Sequence, residues 1–175
     1  MTAEASERLR WVVDQIDPGP ADVVLEVGCG HGVAVTLVAD RLQDGQVTAL
    51  DRSPKMVAAT RRRAADHLAA GRVEVLEGDL ATVELGPRRF DTVFAVNVIA
   101  FAREPHPNLA VVRRHLAPDG RLWLCFQGPP SGGPATGVIE RFRTALTGEG
   151  FVVDDVRRRE LSDGTEIGAV VSHPA

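Results

Sequence analysis

A glycine-rich turn set directly behind an apolar run constrains this chain more than any other feature. Residues 21 to 28, ADVVLEVG, read as a strand covered on both faces, and glycine then occupies Gly28, Gly30 and Gly32. A helical repeat takes over across 31 to 43, through Val35, Val38, Ala39 and Leu42. Strand, tight turn and helix in that order open a βαβ unit, whose next strand returns parallel to the first.

The rest of the chain repeats that order. QVTALD (46 to 51) is a strand, and Ser53-Pro54 opens a helix to about residue 70, with a hydroxyl cap and proline in the first turn. RVEVLEGD (72 to 79) and FDTVFAVNV (90 to 98) are strands, followed by a helix over 107 to 117 that Pro118-Asp119-Gly120 stops. RLWLCFQ (121 to 127) is a fifth strand, GPPSGGPATG a loop, and 138 to 148 a helix. FVVDDVRRREL and EIGAVVSHP form a closing hairpin around Ser162-Asp163-Gly164. An amphipathic helix over 4 to 16 precedes everything. The pattern predicts an α/β fold: a doubly wound, mostly parallel seven-stranded sheet with helices on both faces and a C-terminal antiparallel hairpin. Residues 1–175 read as a single domain, with 1–20 a short N-terminal helical extension.

The formal net charge of −4 gives no global basic field, which disfavours nucleic acid as a partner. The arginine runs 61 to 63 and 157 to 159 read as a solvated helix face and a strand edge. Cys29 and Cys125 have neither metal-ligand nor disulfide spacing, so no metal is expected and a reducing, cytoplasmic location fits best. The first residues lack the apolar core of a secretory signal, and no stretch approaches the roughly 20 apolar residues needed to cross a membrane.

Ligands in such sheets bind at the carboxyl ends of the strands, where the strand order reverses. A dinucleotide fingerprint, G-x-G-x-x-G, would put its third glycine at 33, which is Val33; the chain has Gly32. No Gly-Lys-Ser/Thr follows, which excludes a Walker loop. Glu26 narrows the choice further. A buried carboxylate needs a cation or several donors, so it suits a ligand bearing an ammonium group better than a pyrophosphate.

The run Glu26-x-Gly28-x-Gly30-x-Gly32 resembles motif I of class I S-adenosylmethionine-dependent methyltransferases, a Rossmann-like family, and the resemblance extends over nearly the whole chain. DRSPKM (51 to 56), EGDL (77 to 80), FDTVFAVNV and HLAPDGRLWL are similar to the later motifs, in order. The resemblance implies a cofactor, S-adenosylmethionine, with S-adenosylhomocysteine as product. It implies binding by Glu26, Gly28, Cys29, Gly30 and Gly32. Asp51 would hold the ribose hydroxyls, and Arg52 and Met56 would flank the adenine. Asp79 would accept from the exocyclic amine, Leu80 would offer its N–H to the ring, and Asn97 would meet the donor end. Plainer roles exist beside these: Asp51 as a helix-start acid, Asp79 as a turn cap, Met56 as core, and Cys29 as a small residue valued for its backbone.

Methyl transfer is an in-line displacement that rests mainly on positioning. Asn97, Phe101, Glu104, His106 and Gln127 are the residues expected to face the acceptor. His106, held between Pro105 and Pro107 in a non-helical segment, is the candidate base beside Asn97. His31, His67 and His115 read as surface-facing, and His173 as part of the tail. Residues 97 to 100 are Asn-Val-Ile-Ala, without the Asn/Asp-Pro-Pro-aromatic pattern of base methylation, and Ala100 stands where many small-molecule relatives carry histidine. The expectation is a methyltransferase acting on oxygen or nitrogen of a small-molecule acceptor. The substrate-covering cap is expected to be reduced or completed by a second subunit, as in a homodimer. The alternative is a methyltransferase-like binding protein or partner subunit without chemistry of its own, and a nucleotide-dependent oxidoreductase ranks third.

Overall fold

The structure is a computed structural model that describes residues 7–128 and 135–175. Its elements are α1 (Glu7–Ile16), β1 (Val23–Val27), α2 (Val33–Ala39), β2 (Gln46–Asp51), α3 (Pro54–Arg63), α4 (Ala65–Ala69), β3 (Val73–Glu77), β4 (Phe90–Val96), α5 (Ala100–Arg103), α6 (Pro105–His115), β5 (Leu116–Gln127), α7 (Thr136–Gly148), β6 (Phe151–Glu160) and β7 (Glu166–Pro174). The seven strands lie in the order β3-β2-β1-β4-β5-β7-β6. The first five are parallel, and β7 runs antiparallel to both β5 and β6. The doubly wound sheet and its closing hairpin are therefore as the sequence implies, and the order reverses between β1 and β4.

Side-chain alternation along the strands divides the core into two layers. On one face Val24, Val47, Ala49, Phe94 and Trp123 pack with Trp11, Val12 and Val13 of α1, Val35 and Val38 of α2, and Val57 of α3. On the other, Leu25, Leu50, Val93, Leu122 and Leu124 pack with Leu80, Phe101, Leu109, Ile139, Phe142 and Leu146. Each large side chain so buried contributes about 1.5–3 kcal/mol. Glu26 falls on the first face, next along from Val24, with Ala49 and Phe94 as its neighbours across the sheet. It occupies a core position.

Several element boundaries differ from the sequence pattern for local reasons. The helix expected over 53 to 70 breaks at fully buried Ala64 into α3 and α4. That expected over 31 to 43 stops at Ala39; Gln43, Asp44 and Gly45 all donate their N–H to the carbonyl of Pro20 and draw the chain back toward β1. The stretch around His106 is helical, because Pro105 and Pro107 both sit in the first turn of α6, where no intrahelical N–H is needed. The short α5 was not expected, and residues 117–120 loop out within β5, where its pairing with β4 shifts register. Of the helix expected from residue 4, the part before Glu7 lies outside the described residues, as does most of the Gly/Pro-rich loop.

Candidate active site

The carboxyl ends of β1, β2, β3 and β4 open on a cleft of about 450 Å³. One wall is made by Val27, Gly28, Leu50, Asp51, Arg52 and residues 78–81; the other by residues 97–100 with Arg103, Glu104, Pro107 and Asn108 of α5 and α6. Phe101, fully buried beneath, anchors α5, so it does not face an acceptor.

The glycine turn is held by its neighbours. The N–H groups of Gly28 and Cys29 both donate to the carbonyl of Leu50, at 2.8 and 3.0 Å. Gly30 N–H donates to Asp51 Oδ2 at 2.9 Å, and Ser53 N–H to Asp51 Oδ1 at 2.9 Å. Each Asp51 oxygen thus carries one backbone donor and keeps acceptor capacity toward the cleft. Two side chains of α3 clamp the turn from behind: the Thr60 hydroxyl donates to Gly30 O at 2.8 Å, and Arg63 Nε to His31 O at 2.8 Å. Glycine is required at two positions for different contacts. At Gly28 (φ 74) a Cβ would stand 2.5 Å from Val98 Cγ2; at Gly32 (φ 74) it would meet the Thr60 side chain and its Cα at 2.9–3.0 Å.

Glu26 lies behind this turn, only 3% exposed and outside the lining of the cleft. Val35 N–H donates to the carboxylate, yet its Oε2 has no partner among the described residues. Burial, and secondarily the Asp51 charge, push the Glu26 carboxyl well above the ordinary range. Cys29 is buried, with Sγ 3.5 Å from Thr60 Oγ1, and burial pushes its thiol up to about 12. The thiol stays protonated and unreactive.

Asn97 ends β4 with φ 61, an uncommon backbone state for a residue other than glycine. Its N–H donates to Cys125 O at 2.9 Å and its Oδ1 accepts from Gln127 N–H at 2.8 Å, so both backbone and side chain are fixed at the cleft rim. Asp79 is exposed, and its Oδ1 accepts from Ala81 N–H at 2.9 Å, so the turn-capping role is real; Leu80 is buried beside it.

Of the residues singled out in the sequence, the structure brings Gly28, Asp51, Arg52, Asp79 and Leu80 to one wall of the cleft, and Asn97 and Glu104 to the other. Gly30, Cys29 and Gly32 shape the turn behind it, and Met56 stays half-buried on α3 outside the lining. His106 is not brought there: its side chain is 80% exposed and its Nδ1 lies 2.8 Å from Glu149 Oε2. Gln127 is also spoken for. Its Oε1 accepts from Arg8 at 3.0 Å and its Nε2 donates to Thr165 Oγ1 at 2.7 Å. His115, expected at the surface, is buried with Nδ1 3.1 Å from Arg88 O. Thr60, Val98 and Asn108 had no signal in the sequence. Asn108 is buried and donates from Nδ2 to Glu104 O at 3.1 Å, tying the start of α6 to α5.

The chain has relatives among known proteins. Residues 24–120 match the family described as methyltransferase domain, and the chain belongs to the class I S-adenosylmethionine-dependent methyltransferase family. Nocamycin O-methyltransferase of Saccharothrix syringae is 35% identical over 122 residues, covering 69% of this chain and 43% of that protein. The glycopeptide N-methyltransferase MtfA, complexed with sinefungin, superposes with a TM-score of 0.76 at 19% identity, covering 100% of this chain and 96% of that one. The [4+2]-cyclase SpnF does so with 0.77 at 16% identity, covering 95% and 80%. These two likenesses establish the fold. The chain spans less than half the length of the curated relatives it matches first. Among the described residues no helix is long and apolar enough to cross a membrane, and no three His, Cys, Asp or Glu side chains gather as a metal site.

Proposed function

We propose that the cleft binds S-adenosylmethionine and that the chain transfers its methyl group to oxygen or nitrogen of a small-molecule acceptor, releasing S-adenosylhomocysteine. The observation that carries this is the pairing of two acids around the glycine turn. Asp51 faces the cleft with spare acceptor capacity for a diol, and Glu26 behind it has an orphaned buried oxygen suited to a cation. No other residue among those described supplies that cation. When bound, the cofactor supplies a methyl group activated by positive charge on sulfur. The chain's own residues bind and orient: Asp51 and the turn fix the nucleoside, Leu80 and Arg52 border it, and Asn97 holds the rim nearest β5. The relatives described as O-methyltransferases favour a small acceptor and, among nucleophiles, oxygen.

No histidine lines the cleft among the described residues. Transfer is accordingly assigned to alignment of a nucleophile about 3–3.5 Å from the methyl carbon rather than to a strong base. Incubation with S-adenosylmethionine and a panel of small phenols, carboxylic acids and amines should yield S-adenosylhomocysteine in step with a methylated acceptor. Folded protein that binds neither cofactor nor product would defeat the proposal. A second reading, binding without independent catalysis, is favoured by the displaced His106 and by Ala100 in the cleft wall. A fold shared with a [4+2]-cyclase fits the same caution that architecture does not set the reaction. Cofactor retention with turnover only after a second subunit is added would select it.

A further inference from the structure

Asn97 carries its side-chain amide in a fixed orientation. It follows β4 with φ 61, a state that asparagine and aspartate adopt more readily than most residues, and it lines the cleft wall opposite Asp51. Its Oδ1 accepts the Gln127 N–H at 2.8 Å, and only the oxygen end of an amide can meet that donor. The NH2 end is therefore the free one, without a hydrogen-bond partner among the described residues. Arg103, exposed at the end of α5, lines the same wall and forms no ion pair among the described residues. Glu104 is the carboxylate of that wall, while Asp51, Arg52 and Asp79 lie on the other. Among the described residues no histidine, lysine, cysteine or tyrosine lines the cleft. The acceptor wall thus offers two unused donors and no strong base.

Building on the methyl-transfer reading, we propose that the acceptor is a carboxylate, held by Asn97 Nδ2 and the Arg103 guanidinium and methylated to an ester. An N–H donor recognises a lone pair, so it favours an ionised oxygen over an ammonium, which has none to offer. At neutral pH an ordinary carboxylic acid (about 4) has already lost its proton. A phenol (about 10) and an alkylamine (about 10.4) keep theirs and need a base before they attack. With a carboxylate the step balances without proton transfer. A lone pair on its oxygen forms the bond to the methyl carbon, and the electrons of the carbon–sulfur bond stay on sulfur. One negative and one positive charge disappear together, leaving a neutral ester beside a thioether. Asn97 and Arg103 are then specificity-determining residues, and Gln127, through its N–H, sets which end of the Asn97 amide the acceptor meets.

The test uses matched series of carboxylic acids, amines and alcohols or phenols on the same straight-chain and phenyl skeletons, with S-adenosylmethionine near neutral pH. Acids should be methylated with kcat/KM about 100-fold above their matched amines. Each S-adenosylhomocysteine formed should release no proton to a weakly buffered indicator, where an amine or phenol would release one. Asn97→Asp keeps an oxygen for the Gln127 N–H and suits the same φ, but sets a like charge where the donor was. Its acid-over-amine preference should fall about 100-fold, and that of Arg103→Gln about tenfold. Glu104→Gln should raise the preference by removing a like charge. This ratio does not move with a general loss of stability or of cofactor affinity, which lowers both rates. Calorimetry of the preferred acid against protein saturated with S-adenosylhomocysteine should show binding that Arg103→Gln weakens about tenfold. A preference for amines or phenols, one proton released per turnover, or a ratio unmoved in folded Arg103→Gln overturns the proposal and leaves the cofactor assignment standing. So does protein that binds S-adenosylhomocysteine but methylates no member of any series. Folded protein that binds no S-adenosylhomocysteine defeats the methyl-transfer reading and this proposal with it. Arg103 is exposed, so its variant gives the answer even if Asn97→Asp does not fold.

Discussion

At the β6–β7 hairpin, exposed charges are matched inside the protein. Arg157 pairs with Asp155 and stacks over Trp123, Arg158 pairs with Glu166, Arg159 with Glu7, and Asp163 takes the N–H and hydroxyl of Thr165. At the carboxyl ends of β1 and β2 the balance is reversed. There a buried glutamate lacks a partner for Oε2, and Arg52 and Arg103 line the cleft without an ion pair, among the described residues. Asn97 meanwhile holds a strained backbone. The strand ends carry a buried acid with an orphaned oxygen, and a chain keeps such groups where it functions.

The two regions can be separated by placing the same substitution in each. Gly32 and Gly164 have nearly the same φ, 74 and 78, but a Cβ at Gly32 meets Thr60, including its Cα, whereas at Gly164 nothing lies within 4 Å. Gly32→Ala should therefore lower stability by about 3 kcal/mol, combining backbone strain with overpacking, and Gly164→Ala by about 1 kcal/mol. Urea midpoints of the two variants check this; equal losses would mean that crowding against α3 contributes nothing. Next in size, Asp51→Ala should weaken S-adenosylhomocysteine binding by about 100-fold and cost about 1–2 kcal/mol of stability, since the Gly30 and Ser53 N–H groups lose their acceptor. Binding unchanged in a folded variant would leave Asp51 a helix-start acid only.

The regions should also respond to pH with opposite signs. Glu26 has a folded value above its unfolded one, so its favourable contribution is full below about pH 4.5 and is lost as pH rises through the folded value. Glu26→Gln should remove that loss and flatten the apoprotein's melting temperature between pH 5 and 8, on the scale of a one-group linkage of about 1.4 kcal/mol per pH unit. Glu7, Asp155 and Asp163 are held below their usual range by hydrogen bonds, chiefly from Ser162, Arg157 and Thr165 respectively. Their stabilisation is present above the unfolded values and disappears as pH falls through the folded ones, below about pH 4. Melting curves of wild type and Glu26→Gln that run parallel from pH 5 to 8 would contradict the assignment to Glu26. The smallest effect belongs to the hairpin surface: Arg158→Ala should change stability by about 0–1 kcal/mol, readable in the same urea series.

Strand and helix alternation was legible because the period changes from continuous apolar runs to spaced ones at each boundary. Motif I was legible because a glycine count separates it from the dinucleotide spacing. What escaped the sequence depends on contacts between distant segments. Thr60 is an ordinary helix residue until α3 packs behind the turn, and the φ of Asn97 follows from Gln127 on β5. His106 looked poised because Pro-His-Pro suggests an extended segment; both prolines fit the first turn of α6, and the ring turns to Glu149. Glu26 was readable as a charge within a strand. Its position behind the turn, outside the lining of the cleft, was not, since strand polarity fixes the face but not how the turn folds over it.

Equilibrium dialysis of radiolabelled S-adenosylmethionine against wild-type protein and Asp51→Ala, with the fold of each verified by circular dichroism, tests the central claim most directly. The account predicts about one equivalent retained by wild type and a loss of about 100-fold in affinity in the variant, the same loss expected for S-adenosylhomocysteine, equivalent to about 2.7 kcal/mol. Folded wild-type protein that retains no label, or a variant that retains as much as wild type, would contradict it.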